Sequence, residues 1–152
     1  KKGEIIIDFF SGLGNFTLPI ATFSSSVIGV EGDDALVESG RKNAEKNNLS
    51  ENINFVKVDL FNASQEDIKP LGNADKWLID PPRDGAFNLI NLINSDIQPR
   101  RIVYISCNPA TLARDANILI NEKGYKFSKS GILNMFPHTS HVESIALFEL
   151  NV

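Results

Sequence analysis

Five short apolar runs recur along the chain, each closed by a polar or turn-forming residue: Ile5–Phe10, Val27–Val30, Ile53–Val58, Trp77–Asp80 and Arg101–Ile105. Their length and their branched and aromatic content predict buried strands. Helix-length segments separate them. Asp33–Asn47 is the clearest, with Ala35, Leu36, Ala44 and Leu49 as an apolar stripe. Phe16–Ala21 predicts a short helix, and Ala86–Ile93 and Thr111–Ile120 predict two more. Pro109 suits the first turn of the last, where its missing N–H is no loss. Strand followed by helix, five times over, predicts an α/β fold with a mostly parallel sheet covered on both sides. The tail differs. Tyr125–Asn134 and Val142–Leu150 read as two strands with no helical period between them, an antiparallel C-terminal hairpin that completes seven strands. No internal repeat, low-complexity tract or linker interrupts this order.

Right-handed crossovers place the C-terminal ends of the parallel strands on one edge of the sheet, where ligands of such folds bind. Asp8, Glu31, Asp59, Asp80 and Cys107 each fall at or just past the end of a successive strand, so that edge is where chemistry is expected. One acidic strand end is a common accident; five polar or reactive groups at five consecutive ends form a pattern.

Length and composition narrow the classes further. The 152 residues suit one domain with a real core. Apolar residues make up 42% and charged residues 22%, which argues against disorder. The single cysteine, Cys107, excludes a disulfide scaffold, a four-cysteine zinc site and an iron–sulfur site supplied by this segment alone. A net charge of -4 argues against nucleic-acid binding by overall charge, while leaving room for a local basic rim or a separate basic domain. No run reaches the length of a membrane span and no signal peptide is evident, so a cytoplasmic protein without membrane contact is expected. The sequence begins abruptly before its first strand, which reads as a piece cut from a longer protein.

The first two strand ends describe a nucleoside site. Ser11, Gly12, Leu13, Gly14 and Asn15 follow the first strand and precede Phe16. Glycines here let backbone approach a ligand closely. The third glycine of a dinucleotide fingerprint is replaced by Thr17, and the Gly-Lys-Ser/Thr of a P-loop is absent. Glu31 stands where an acid accepts both hydroxyls of a ribose. Asp59 is placed for an adenine amino group, and Asp8 for a ligand ammonium or for orienting the turn. An adenosine bearing an amino acid fits this set better than a dinucleotide, which points to S-adenosylmethionine. Any one of these acids alone would read as a solvated strand-end carboxylate.

The next two ends carry reactive groups. Asp80-Pro81-Pro82-Arg83 is stiffened by two prolines that remove backbone donors. Ser106-Cys107-Asn108-Pro109 sets a cysteine just ahead of a helix start, which favours a thiolate and makes Cys107 a candidate nucleophile. The competing readings are a salt-bridged rigid loop and a quiet buried cysteine. Phe136 to Glu143 bridges the last two strands and holds both histidines, His138 and His141. Their spacing is not that of a His-Glu-x-x-His metal site, so no metal is expected. Glu143 is instead a candidate base.

Taken together, these motifs resemble the RNA uracil-5-methyltransferase family. The likeness lies in Asp8 to Pro19, Gly29 to Gly32, Asp80 to Arg83, Ser106 to Asp115 and Phe136 to Glu143, and it spans positions 5 to 150. The branch acting on 23S ribosomal RNA is the nearer, through Met135 to Thr139; the tRNA branch is the alternative. The resemblance implies a Rossmann-like class I fold dependent on S-adenosylmethionine over residues 1–152, with Cys107 as nucleophile and Glu143 as general base. It implies a cofactor pocket of Asp8, Ser11, Gly12, Gly14, Asn15, Phe16, Glu31, Asp59 and Asp80. Asp80, Arg83 and Asn108 would meet the target base or shape its pocket. An RNA substrate, 23S ribosomal RNA in the nearer branch, completes the expectation, with a monomer favoured, and any iron–sulfur cluster belongs to a region upstream of this chain. Two other readings are an amino-methylating enzyme built on Asp80-Pro81-Pro82-Arg83 and a non-catalytic module of the same fold.

Overall fold

The structure, a computed structural model, describes residues 3–24, 26–134 and 142–151. Branched and aromatic side chains form the strands β1 (Ile5–Phe9), β2 (Ser26–Glu31), β3 (Ile53–Lys57), β4 (Lys76–Ile79) and β5 (Arg101–Ser106). Helices α1 (Thr17–Ala21), α2 (Asp34–Lys46), α3 (Gln65–Ile68), α4 (Phe87–Leu92) and α5 (Pro109–Asn121) follow them in turn. Strands β6 (Tyr125–Leu133) and β7 (Glu143–Leu150) close the chain. The seven strands form one sheet in the order β3-β2-β1-β4-β5-β7-β6. Pairs among β1 to β5 are parallel, and β7 runs antiparallel to both β5 and β6. This is the expected α/β architecture with its C-terminal hairpin, the last strand inserted between β5 and β6.

The two faces are packed differently. Ile7, Phe9, Trp77, Ile79, Ile102, Tyr104 and Phe148 share one large cluster with Ile68 of α3, Leu89 and Ile90 of α4, and Ile118 and Leu119 of α5. Each such aliphatic side chain contributes roughly 1.5–3 kcal/mol by leaving water. The smaller cluster is Val37 and Ala44 of α2 around Phe55, with Leu18 of α1 against it. The Phe55 ring fits because Gly14, Gly29 and Gly40 lack Cβ atoms; at Gly29 and Gly40 a Cβ would stand 2.7 Å from the ring.

Element ends show where the sequence reading needs correction. α2 starts at its N-cap Asp33, whose side chain accepts from the Ala35 and Leu36 amides. Its buried stripe is Val37, Gly40 and Ala44, whereas Ala35 is exposed and Leu36 half-buried. A glycine on the packed face gives no hydrophobic signal, which displaced the expected stripe. α3 was not anticipated; its four residues carry no full helical period, and a capping box between Ser64 and Asp67 holds it. Among the described residues no helix is long and apolar enough to cross a membrane.

Candidate active site

The polar strand ends lie in a row along one edge of the sheet. In spatial order the row runs from Asp59 past β3, through Glu31 ending β2 and the turn after β1, to Asp80 past β4 and Cys107 past β5. β7 enters from the same edge because it runs antiparallel to β5, and Glu143 is its first residue. Neighbouring strands are spaced about 4.8 Å apart, so three spacings, about 14 Å, separate the β2 and β5 ends.

β1 turns sharply at this edge. Phe10 adopts a left-handed φ of 62°, unusual for a residue with a side chain. The Ser11 amide then donates to Val30 O at 3.1 Å and the Gly14 amide to Ser11 O at 2.9 Å. Gly14 sits at φ 90°, and a Cβ there would strike Leu18. Asn15 and Phe16 are exposed at the entry to α1. Asp8 lies one residue inside β1 rather than at its end, so its side chain is buried beneath the turn, 1% exposed. Oδ2 of Asp8 accepts from the Thr17 hydroxyl at 2.5 Å. Burial pushes the Asp8 carboxyl up to about 7, against the Thr17 hydrogen bond and helped by the nearby Asp80 and Glu31 charges. Among the described residues, Asp8 Oδ1 and Ser11 Oγ are buried with no hydrogen-bond partner. A buried polar atom left so is costly. Two of them under a glycine turn suit a ligand that brings its own donors, and the ammonium end of an amino acid is such a group.

Glu31 is already engaged. Its Oε2 accepts from the Gly12 amide at 3.0 Å, and Oε1 from Gly32 and Asp33 at 2.7 and 3.1 Å. A carboxylate has about four acceptor sites, so capacity remains for a ribose hydroxyl. Asp59 accepts from the Phe61 amide at 3.1 Å and from Asn62 Nδ2 at 2.8 Å. The Asn62 contact, above all, lowers the Asp59 pKa. Phe61, 48% exposed, tilts against Phe10 with ring centroids 5.6 Å apart. This exposed ring beside Asp59 offers a stacking face to a flat ligand. Sequence reasoning missed both Phe10 and Phe61; an aromatic two residues past each of the acids Asp8 and Asp59 was the available signal.

On the other half of the edge, Asp80 is half-buried, and its pKa is raised by burial and then by the charge of Glu143. Cys107 is partly exposed. The β5–β7 register ends with Ser106 paired with Ser144, so the turn that carries Cys107 and the first residue of β7, Glu143, fall at the same end of that strand pair. Asn108 caps α5 by accepting from the Ala110 amide, and its Nδ2 donates to Arg83 O at 3.0 Å. Thr111 donates to the same carbonyl at 3.2 Å. Asn108 therefore joins the Cys107 turn to the proline loop, and Arg83 extends its side chain into an exposed position. His138 and His141, with the rest of 135–141, lie outside the described residues.

The sheet order, glycine turn and acid-lined edge define a Rossmann-like class I methyltransferase fold. Comparison with known proteins narrows the class. Residues 1–150 match the family described as tRNA (Uracil-5-)-methyltransferase, and the chain belongs to that family. It is 56% identical over 150 residues to the 23S rRNA (uracil(1939)-C(5))-methyltransferase RlmD of Dechloromonas aromatica (strain RCB), covering 99% of this chain and 34% of that protein. Against RlmD of Aromatoleum aromaticum the identity is 54% over 151 residues, covering 99% and 35%. The crystal structure of Pyrococcus abyssi tRNA (uracil-54, C5)-methyltransferase in complex with S-adenosyl-L-homocysteine superposes with a TM-score of 0.81 at 35% identity, over 96% of this chain and 34% of that one. A precorrin-6y C5,15-methyltransferase from Geobacter metallireducens GS-15 reaches a TM-score of 0.77 at 13% identity, which shows the fold alone. The chain spans about a third of the length of the RlmD relatives it matches.

Proposed function

We propose that this chain is the catalytic domain of a cytoplasmic enzyme that methylates C5 of a uridine in 23S ribosomal RNA, using S-adenosylmethionine and acting as a monomer. The observation that supports the reading is the convergence at one sheet edge of the Cys107 turn after β5, Glu143 at the start of the paired strand β7, and Asp80 past β4, whose carboxyl feels the Glu143 charge. Ribosomal RNA is favoured over transfer RNA because the identity to the two RlmD proteins exceeds that to the transfer-RNA enzyme, 56% and 54% against 35%.

S-adenosylmethionine, when bound, supplies an electrophilic methyl group. Asp8 Oδ1 and Ser11 Oγ would receive its amino-acid end, Glu31 its ribose, and Asp59 with the Phe61 ring its adenine. Gly12, Gly14, Asn15 and Phe16 form the turn that lets it approach. The target uracil leaves its stack to enter the site. Cys107 adds as thiolate to C6, and the electron pair of the C5–C6 double bond moves to C5 and the adjoining carbonyl. C5 then forms its bond to the methyl carbon, and the methyl–sulfur pair stays on the donor sulfur. Glu143 takes the C5 proton. The released pair restores the double bond and expels the Cys107 thiolate. Dividing the substitution in this way replaces one difficult step with easier ones. Asp80 and Arg83 orient the base, and Asn108 shapes the wall between them.

The test is an RNA carrying 5-fluorouridine, whose C5 fluorine cannot leave as a proton. The full-length protein with S-adenosylmethionine should form a covalent adduct through Cys107, stable to denaturation. Cys107→Ala should give neither adduct nor product. Methylation by that variant, or an adduct mapped to another residue, would overturn the mechanism.

A further inference from the structure

Asp115 lies on the buried face of α5 and is 0% exposed, among Ile118 and Leu119. Its partners all face the segment that follows Asp80. Oδ2 accepts from the Tyr104 hydroxyl at 2.6 Å and from the Ala86 amide at 2.8 Å. The same amide reaches the Tyr104 oxygen at 3.0 Å. Oδ1 accepts from Arg114 Nε at 2.8 Å, and Arg114 Nη2 continues to Asp84 O at 2.9 Å. The Arg114 guanidinium also stands 5.1 Å over the Phe87 ring. Between these contacts Gly85, at φ 77°, passes so close that a Cβ would lie 2.6 Å from Arg114 Nη2 and 2.9 Å from Asp115 Oδ2.

With Asn108 and Thr111 on Arg83 O, four side chains of α5 and its cap hold the backbone from Arg83 to Ala86. A leucine at 115 would fill the same apolar face without the desolvation cost of a carboxylate. What the polar group adds is direction: its hydrogen bonds admit one placement of the loop, where apolar contact would tolerate several. That loop begins with Asp80, and the helix it is fastened to begins just after Cys107.

We infer that Asp115 and Tyr104 are positioning residues, which lock the Arg83–Ala86 segment to α5 so that Asp80 and Cys107 keep a fixed separation during attack on the base. The inference rests on the uridine-methylating role proposed above. Neither residue touches the base; they act through the loop backbone.

The full-length protein tests it with Asp115→Asn and Tyr104→Phe, which preserve shape and remove the charge or the hydroxyl. A displacement near 1 Å costs on the order of 10²-fold in rate. Asp115→Asn should lower kcat by about that factor and Tyr104→Phe by roughly tenfold, since Ala86 N keeps one acceptor in the latter. KM for RNA and Kd for S-adenosylmethionine should hold within about threefold, and 5-fluorouridine adduct formation should slow in step with kcat. Hydrogen exchange gives a readout independent of the reaction. Amides of 83–86 and of 110–112 should lose protection together, while Gly12, Gly32 and Asp33 around Glu31 keep theirs. If Asp115→Asn does not fold, Arg114→Lys provides the second variant, losing the fork to Asp84 O and with it part of kcat. Wild-type kcat in folded Tyr104→Phe and Asp115→Asn, or unchanged protection at 83–86, would overturn the inference. A wild-type protein that forms no adduct would instead overturn the methylation reading, and the exchange result would still decide whether the brace exists.

Discussion

The two halves of the functional edge solve the same problem differently. On the β1–β3 side, carboxylates are held by their own loops: Glu31 by three backbone amides and Asp59 by Phe61 and Asn62. On the β4–β7 side, no hydrogen bond among the described residues reaches the carboxyl of Asp80 or Glu143, and rigidity resides in the backbone behind them. Under the proposed function, the difference follows from what each half must do. A binding group gains from being fixed in advance, because its geometry is the same throughout the reaction. A group that moves protons or bonds must keep its lone pairs available, so only its carrier can be fixed.

The sharpest way to break that contrast is Glu143→Gln. General bases contribute roughly 10²–10⁴-fold, so turnover should fall by that range. The addition and methylation steps do not need the carboxylate. A covalent protein–RNA complex bearing the methylated base should therefore accumulate with ordinary RNA, and gel shift under denaturing conditions would reveal it. Turnover at the wild-type rate would place Glu143 with the fixed groups instead.

Glu31→Gln probes the other side with a smaller effect. Hydrogen bonds to a charged group are worth about 1.5–3 kcal/mol, so affinity for S-adenosylmethionine should weaken by about 10- to 150-fold. The amide offers one oxygen where two served Gly12, Gly32 and Asp33, and the turn loosens as well. At saturating S-adenosylmethionine, kcat should recover. A kcat that stays low would mean Glu31 acts in the reaction and not in binding.

These halves were not equally legible in the sequence. Glu31 and Cys107 could be placed because apolar runs of strand length end at them, and the period of a strand is short enough to read locally. Asp8 was read as a strand end although the apolar run continues past it to Phe10; β1 runs through Phe9, and the acid belongs to the buried part of the strand. The brace was the least visible part. Asp115 was a polar residue on an apolar helix face, but its partners Tyr104 and Ala86 lie 11 and 29 positions away. Only the β4–β5 pairing and the packing of α5 bring them together. Phe136 to His141 carried much of the family likeness and lies outside the described residues.

Asp8 gives the smallest effect and the most direct check on the binding half. Its carboxyl is pushed up to about 7 chiefly by burial, from an ordinary value of 3.8. The free protein therefore holds a proton there that the unfolded chain releases. The stability this contributes is full below the unfolded value and is lost as pH rises through about 7. Ligand binding has the opposite sign. An ammonium beside Asp8 favours the carboxylate, so affinity for S-adenosylmethionine should rise as pH climbs toward about 7, by at most about tenfold per unit, and level off above it. Calorimetry from about pH 6 to about pH 8 should show proton release on binding at the acid end. Asp8→Asn should abolish the Asp8 part of that slope, leaving whatever belongs to the ligand's own amine, and should raise the melting temperature of the free protein at alkaline pH relative to wild type. A slope identical in wild type and Asp8→Asn would remove Asp8 from the ammonium site and leave its buried Oδ1 to be satisfied by the turn itself.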